Sequence, residues 1–528
     1  KCPVISYKFS RYAHIFSAQA ALFLVLRFRA FVMIVYLLLA VVAFFVCFAL
    51  FANRLLGLPP GPPPLPLIGN ILSFGGSADN MDRKLLEWKQ KYGNIFTVWI
   101  PVPMVVIGDH KTMIESIVKD GEAYSHRYVR KVLNKLANGG DYGLVMNDNA
   151  IWKEQRRFAL HSLRDVGFGT SAVEDSVCNL AHEAVSRWKN DHEKEIDVTP
   201  NVMAAVANTI WKLIFDKTLP FEDPLFNKVR FLMDETFPQL MRPYVFIIEV
   251  VPVFLKLDPL FGGIFKKVLE LNNQFLEILR KEIQEAEASD DPASDPNCYV
   301  HSFVREMKRR ELSGEGEGSF SRLQLAKAAA DVWGAGFETT VTTLRYAVHY
   351  LVNYPEVQRK MQKEIDETVG DKTIRMVDQK NLPYCCAVIQ ELQRIANILP
   401  LNLPRQVAFD TQIEGFTLKK GTTVVPQFQL VHCDPAEFER PDYFCPERFI
   451  NEKGEFVKDP RVTPFSMGKR ACLGENLARL ELFVFLTTFV QHIEFASPTV
   501  VPPKLETIFG FTKPPKPFTV VVKDRTRI

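Results

Sequence analysis

The sequence lacks an excess of either charge. Its 528 residues carry 64 Lys and Arg against 61 Asp and Glu, a formal net charge of +3. No basic field is available to hold a nucleic acid, and none is expected as a partner. Also missing is the cysteine spacing of a stapled or zinc-bound domain. Nine cysteines are scattered along the chain, with no Cys-x-x-Cys and one adjacent pair, Cys385 and Cys386. An odd, scattered set suits a reduced compartment rather than a disulfide scaffold. Charge of any sign is absent from residues 30–52. As a helix this stretch would span ~34 Å, enough for the hydrocarbon core of a bilayer. It is too long for the apolar part of a cleaved signal peptide and has no clear small-x-small exit. A membrane anchor is expected over about 30–52, inside an N-terminal region 1–57.

Beyond the anchor the chain is rich in proline. Six of the nine residues 58–66 are Pro, a stiff extended connector that no helix can cross. A length of 528 residues would suggest three or four domains at ~150 residues each, but the motifs favour one catalytic domain over 58–528, with the connector as its hinge. Ile95-Phe96-Thr97-Val98-Trp99-Ile100 and Met104-Val105-Val106-Ile107 read as short strands of a small sheet. Trp152 and Arg156 fall four apart on one helical face, where an indole N–H and a guanidinium could grip the same acidic group. Helical patterns run to about 287, broken at 243–248 and 253–255 by apolar loops centred on Phe246 and Phe254. Exposed, these would touch a membrane; buried, they would be core. Ser321 and Gln324 offer a capping box, and the pattern then continues without proline to Asn353, a helix of ~33 residues or ~50 Å. Near its middle, Gly334-Ala335-Gly336-Phe337-Glu338-Thr339-Thr340 holds two helix-weakening glycines and threonines able to bond a backbone carbonyl. Small residues there would let a flat group approach.

One loop organises the rest: Phe465-Ser466-Met467-Gly468-Lys469-Arg470-Ala471-Cys472-Leu473-Gly474. Leu473, Leu477, Leu480 and Val484 recur at helical spacing, so Cys472 is expected in the first turn of an apolar helix, where free N–H groups and the helix dipole would lower its pKa. Gly468 permits a left-handed turn, Gly474 removes a side chain where a flat cofactor would lie, Phe465 can shield the sulfur, and Arg470 adds a cation. A lone cysteine is more often a small buried hydrophobe. Five fixed residues at fixed spacing, however, arise by chance with a probability on the order of 10⁻⁴.

The loop matches the haem-ligand signature of the cytochrome P-450 family at Phe465, Gly468, Arg470, Cys472 and Gly474, and the chain resembles its microsomal family-2 members from about 58 to 524. The resemblance implies a mainly α fold with a smaller β-rich part and an N-terminal transmembrane helix. It makes Cys472 the axial thiolate of haem b, the ligand that favours O–O cleavage. It assigns haem-propionate contacts to Trp152, Arg156 and Arg405, and proton delivery to dioxygen to Glu338 and Thr339, with Ala335 and Thr339 bordering the substrate. Glu391 and Arg394, an ordinary surface pair by spacing alone, would join Arg448 in a buried brace for the ligand loop. Leu399, Leu401 and Leu403, with residues 508–511, would line the pocket.

The implied activity is monooxygenation of an apolar small molecule such as a xenobiotic, fatty acid or steroid. Electrons would come from NADPH through NADPH-cytochrome P-450 reductase, with cytochrome b5 as a second candidate donor, and Lys131, Lys135, Lys153, Arg157 and Lys469 could form a docking face. Arg27 and Arg29 before the span, against Arg54 after it, would keep the N-terminal side cytoplasmic. The family arrangement is the opposite: a single-pass anchor in the endoplasmic reticulum with a cytosolic catalytic domain. The rivals are a haem-thiolate isomerase or dehydratase, against which the Glu338-Thr339 pair argues, and a membrane-anchored haem sensor or carrier without turnover.

Overall fold

The computed structural model describes residues 27–525 except 49–51, 53–55, 66–67, 76–77 and 167–170. Helix α1, Arg27–Phe48, is long and apolar enough to cross a membrane. It starts three residues before the expected span; Leu50, Phe51 and Arg54 lie outside the described residues. The proline connector is not a free spacer. Pro59, Pro62 and Pro64 are buried, and the segment is stitched to the first strand, Thr97 Oγ1 donating to the Pro59 carbonyl at 2.7 Å and Thr97 N to that of Pro60 at 3.0 Å.

Helix α2 (Ala78–Tyr92) precedes the hairpin β1 (Ile95–Ile100) and β2 (Val102–Ile107), then a short α3 (His110–Met113), β3 (His126–Arg127) and α4 (Lys131–Asn138). Five helices carry the middle of the chain: α5 (Asn149–Asp165), α6 (Ser171–Lys189), then after β4 (Glu195–Ile196) α7 (Thr199–Phe215), α8 (Pro224–Leu240) and α9 (Pro243–Val250). They are followed by α10 (Ile264–Ser289), α11 (Tyr299–Ser313), α12 (Arg322–Asn353), α13 (Pro355–Thr368) and α14 (Pro383–Ala396). Strands β5 (Arg405–Gln406), β6 (Thr411–Ile413), β7 (Phe416–Leu418) and β8 (Thr423–Pro426) lead to α15 (Gln429–His432), α16 (Glu475–His492), β9 (Ile493–Ala496) and β10 (Val520–Asp524). One sheet runs β1-β2-β8-β5-β3, parallel only between β2 and β8; β4-β10-β9 forms another, and β6-β7 a hairpin. The fold is therefore mainly α with a small β part.

Residues 243–248 are not a loop. Pro243 sits in the first turn of α9, where a missing N–H costs nothing, and Tyr244, Val245 and Ile248 are buried against Phe265 of α10. A 3₁₀ segment, Pro252–Phe261, follows. Phe246 and Phe254 pack inward, whereas Val253, Leu257 and Leu260 are exposed, Leu260 to 81%. The outward apolar surface thus comes from their neighbours. Helix α12 is continuous through both glycines and packs on α7, α10 and α16. Ser321 caps it by accepting from Gln324 N at 3.1 Å, but only half the capping box forms: the Gln324 side chain bonds Gly143 N and O instead, at 2.9 and 3.2 Å.

Candidate functional site

The Cys472 loop is shaped by one obligatory glycine. Gly468 has φ +68°, and a Cβ there would collide with the Ile117 carbonyl oxygen, so any side chain would force the loop off its support. The turn closes through Ala471 N to the Gly468 carbonyl at 3.0 Å and Cys472 N to the Phe465 carbonyl at 2.9 Å. The Phe465 ring lies 4.9 Å from the Arg479 guanidinium. Gly474 caps α16, and a Cβ added there would point into open space. Cys472 therefore stands two residues before the cap, not in the first helical turn. Its thiol also titrates against expectation: burial raises it, and the Gly474 N–H and the Arg156 cation only partly oppose that. Cys472 itself is nonetheless exposed.

Four arginines converge beside this loop. Arg156 Nη2 donates to the Ala471 carbonyl at 2.7 Å. Arg405, on β5, donates from Nη2 to the Met467 carbonyl at 2.6 Å and to Ser466 Oγ at 3.0 Å. Arg127, on the adjacent strand β3, donates to the Leu403 carbonyl at 2.8 Å. Arg470 donates to the Ser125 and Asn147 carbonyls at 2.7 and 2.9 Å, reaches Asp148 at 3.2 Å, and stacks 3.5 Å from the Trp152 ring centroid. The Trp152 face thus serves Arg470, while Arg156 lies 5.8 Å from that ring. Burial, with mutual repulsion, pushes Arg405 down to about 9, Arg127 to about 10 and Arg470 to about 8. Among the described residues the carboxylate that relieves Arg127 and Arg470 is Asp148. Arg405 Nε and Nη1 and Arg127 Nε are buried without partners. Buried donors seldom stay unpaired, and excess buried positive charge calls for an anion. A flat dianionic group over the open face of Gly474, within reach of the Cys472 sulfur, would meet both demands, and haem has that chemistry.

Opposite charge chemistry marks the middle of α12. Thr339 Oγ1 donates to the Ala335 carbonyl at 2.6 Å, and these residues, one turn apart, share a face on which Ala335 is exposed. Gly336 serves a different purpose from the one expected: a Cβ there would press on the Ile210 side chain of α7, so this glycine allows helix packing. Glu338 turns toward the C-terminal segment, its Oε1 accepting from Thr512 Oγ1 at 2.8 Å and Thr342 Oγ1 at 3.3 Å. Burial pushes its carboxyl up to about 7. A cavity of about 160 Å³ lies beside it, lined by Phe237, Phe337, Arg345 and Ile508 among others. The residue adjacent to Thr339, Thr340, donates at 3.2 Å to Glu481 on α16; burial pushes this acid up to about 8, and its Oε1 has no partner.

Two further features support the loop. Glu391 and Arg394, both fully buried, form a two-pronged pair at 2.7 and 2.8 Å, with Arg448 Nε at 3.1 Å from the same carboxylate. From there Arg394 Nη1 donates to the His432 carbonyl at 2.7 Å, and Thr463 N, at the start of the ligand loop, donates to His432 Nε2 at 3.2 Å. Burial and the Arg394 cation push His432 down to about 3, so it stays neutral and able to accept. Lys153 and Lys469 both pair with Glu122, but Lys131 and Lys135 belong to α4, which packs on α9 and α10.

The sequence pattern of the family described as Cytochrome P450 matches residues 59–522. The chain belongs to the cytochrome P450 family. It is 37% identical over 487 residues to a Caenorhabditis elegans protein named "Probable cytochrome P450 CYP36A1", covering 92% of this chain and 98% of that one. It is 34% identical over 465 residues to cytochrome P450 2D26 of Rattus norvegicus and over 467 to cytochrome P450 2D27 of Mesocricetus auratus, covering 87% of this chain and 91% of each relative. Membership makes the protein a haem-thiolate monooxygenase in general, with a haem-iron cofactor, and α1 is compatible with membrane anchoring. Sequence reasoning does not reach Arg127, His432 or Glu481. Arg127 lies in a mixed, largely polar stretch, and none of the three carries a signal in the sequence.

Proposed function

We propose that this P450 inserts one oxygen atom from O2 into an apolar small molecule of xenobiotic, fatty-acid or steroid type, the second atom leaving as water. Electrons arrive from NADPH through NADPH-cytochrome P-450 reductase, with cytochrome b5 as an auxiliary donor. The observation that carries the reading is the cluster of buried arginine N–H groups without partners beside Cys472. Cys472 holds the iron, Arg127, Arg156 and Arg405 hold the propionates, and Arg470 fixes the loop through Trp152, Ser125 and Asn147. Haem, when bound, supplies dioxygen binding and reductive cleavage of the O–O bond. The chain's own part is to deliver protons and keep bulk water out. Thr339 Oγ1 exchanges its bond to the Ala335 carbonyl for one to the oxygen substrate, and Glu338, poised near neutrality, resupplies the proton.

The catalytic domain lies on the cytosolic face of the endoplasmic reticulum, held by α1 and by the exposed apolar residues Val253, Leu257 and Leu260. Lys153 and Lys469, on the Cys472 side, form the reductase-facing part of the basic surface. The test is product formed per NADPH consumed in vesicles containing the reductase. Thr339→Ala is expected to retain haem and NADPH oxidation while the product yield per NADPH falls ~10-fold or more, the electrons appearing as hydrogen peroxide. An unchanged yield would remove Thr339 from proton delivery, and a lack of substrate-dependent NADPH consumption in the parent protein would favour the sensor.

A further inference from the structure

We propose that Thr512 is a positioning residue for Glu338: its hydroxyl holds the acid turned into a polar cavity behind α12, so the C-terminal segment sets which way the acid faces and when it gives up its proton. This rests on the reading that Glu338 resupplies protons to Thr339. Thr512 and Glu338 are 174 residues apart, yet Thr512 Oγ1 donates to Glu338 Oε1 at 2.8 Å, and Thr342 Oγ1 donates to the same oxygen at 3.3 Å. Two donors on Oε1 leave Oε2 as the atom that carries the proton. Thr512 is 2% exposed, and its place is fixed from both sides. Ahead of it, the Phe511 ring lies 5.7 Å from that of Phe237 on α8. After it, the Lys513 carbonyl accepts from Tyr346 Oη at 2.9 Å and the Pro515 carbonyl from Arg345 Nη2 at 2.6 Å, both on α12, while Lys513 N donates to the Ile398 carbonyl at 2.9 Å. A hydroxyl held this firmly orients the carboxyl rather than following it.

The orientation matters because adjacent residues on a helix face different ways. Ala335 and Thr339, four apart, share one face, whereas Glu338 points with Val341, Thr342 and Arg345 into the cavity of about 160 Å³. Arg230 and Asp234 of α8 and Thr199 of α7 add to its polar lining, and such a space is roomy and polar enough for water. The acid therefore takes up its proton on the cavity side and must leave Thr512 to reach Thr339. The charged groups that share the cavity with it are Asp234 and Arg230, 3.4 Å from each other, and Arg345, on which Asp197 ahead of α7 acts in turn. Burial is the chief cause that pushes Glu338 up to about 7, and Asp234 adds to it; Thr512 opposes most strongly, ahead of Arg345 and Thr342. The Thr512 hydroxyl thus keeps the acid where it can both give and regain a proton near neutral pH.

The test uses the full haem-loaded chain with the reductase in vesicles. Infrared difference spectra from about pH 5 to 10 follow the protonated-carboxyl band that disappears in Glu338→Gln, and product per NADPH is measured over the same range. In the parent protein the band should vanish with a midpoint near 7, and the yield should fall with it. Thr512→Val, close in shape but without the hydroxyl, is expected to raise both midpoints by ~1 pH unit and to move the band to higher frequency. Thr512→Ser should restore the parent values, and Thr512→Ala takes the place of Thr512→Val if that variant loses haem. An infrared midpoint that stays put without the hydroxyl, or a Thr512→Ser protein that behaves like Thr512→Val, would overturn the positioning role. A midpoint that moves while the pH profile of the yield does not would uphold the hold of Thr512 on the acid and instead remove Glu338 from proton delivery.

Discussion

Around Cys472 the buried ionisable groups are mostly guanidiniums; around Thr339 two carboxyls are pushed toward neutrality, with one buried guanidinium, Arg345, beside Glu338. Arg127, Arg405 and Arg470 are each at most 5% exposed and stay cationic or nearly so, pressed down only to about 8 to 10. Glu338 and Glu481 meet the same desolvation by holding on to a proton, at about 7 and 8. A carboxyl can become neutral at modest cost, whereas a guanidinium keeps its charge near neutral pH and needs an anion. On the proposed reading the first cluster is built around a charged partner, and the second around mobile protons. That division matches a site whose one wall must grip a dianionic cofactor and whose other wall must feed protons to a reaction.

The contrast breaks most visibly at Arg405. Arg405→Leu should cut haem retention ~10-fold or more, because a charge-assisted bond to the cofactor is lost. The same change should stabilise the haem-free protein by ~1–3 kcal/mol, since a buried, half-paired cation is removed. Haem content per protein and urea unfolding of the haem-free form measure the two effects; the same sign for both would mean that Arg405 has a purely structural role. On the carboxyl side the expected effect depends on pH. Glu481 titrates near 8 in the folded chain against an ordinary 4.5, so its contribution is fully present below about 4.5 and is lost as pH rises through about 8. Glu481→Gln should match the parent near pH 4.5 and exceed it by several kcal/mol, up to ~5, near pH 9. A pH-independent difference would show that Glu481 does not hold its proton.

Much of this is readable in the sequence because it is local. Gly468 defines a turn through its own backbone need, and α12 announces its length through periodicity and the Ser321 cap. The features that escape a sequence depend on distant neighbours. The Gln324 side chain leaves its capping box for Gly143, an alternative 181 residues away. Proline at 243 looks like a break because a first-turn proline and a helix-ending proline are the same residue type; only packing on Phe265 separates them. His432 and Glu481 sit in segments with no motif, and burial alone gives them their protonation states. The depressed thiol pKa expected for Cys472 is opposed by desolvation and by Glu475, neither of which the helix-end pattern reveals.

Cys472 as the iron ligand is the assignment on which everything else depends, and the ferrous carbonyl spectrum of the haem-loaded protein tests it most directly. The parent protein should show the red-shifted Soret band of a thiolate-ligated haem, and Cys472→Ala should lose it with the Glu391, Arg394 and Arg448 brace intact. Persistence of that band in Cys472→Ala would contradict the assignment.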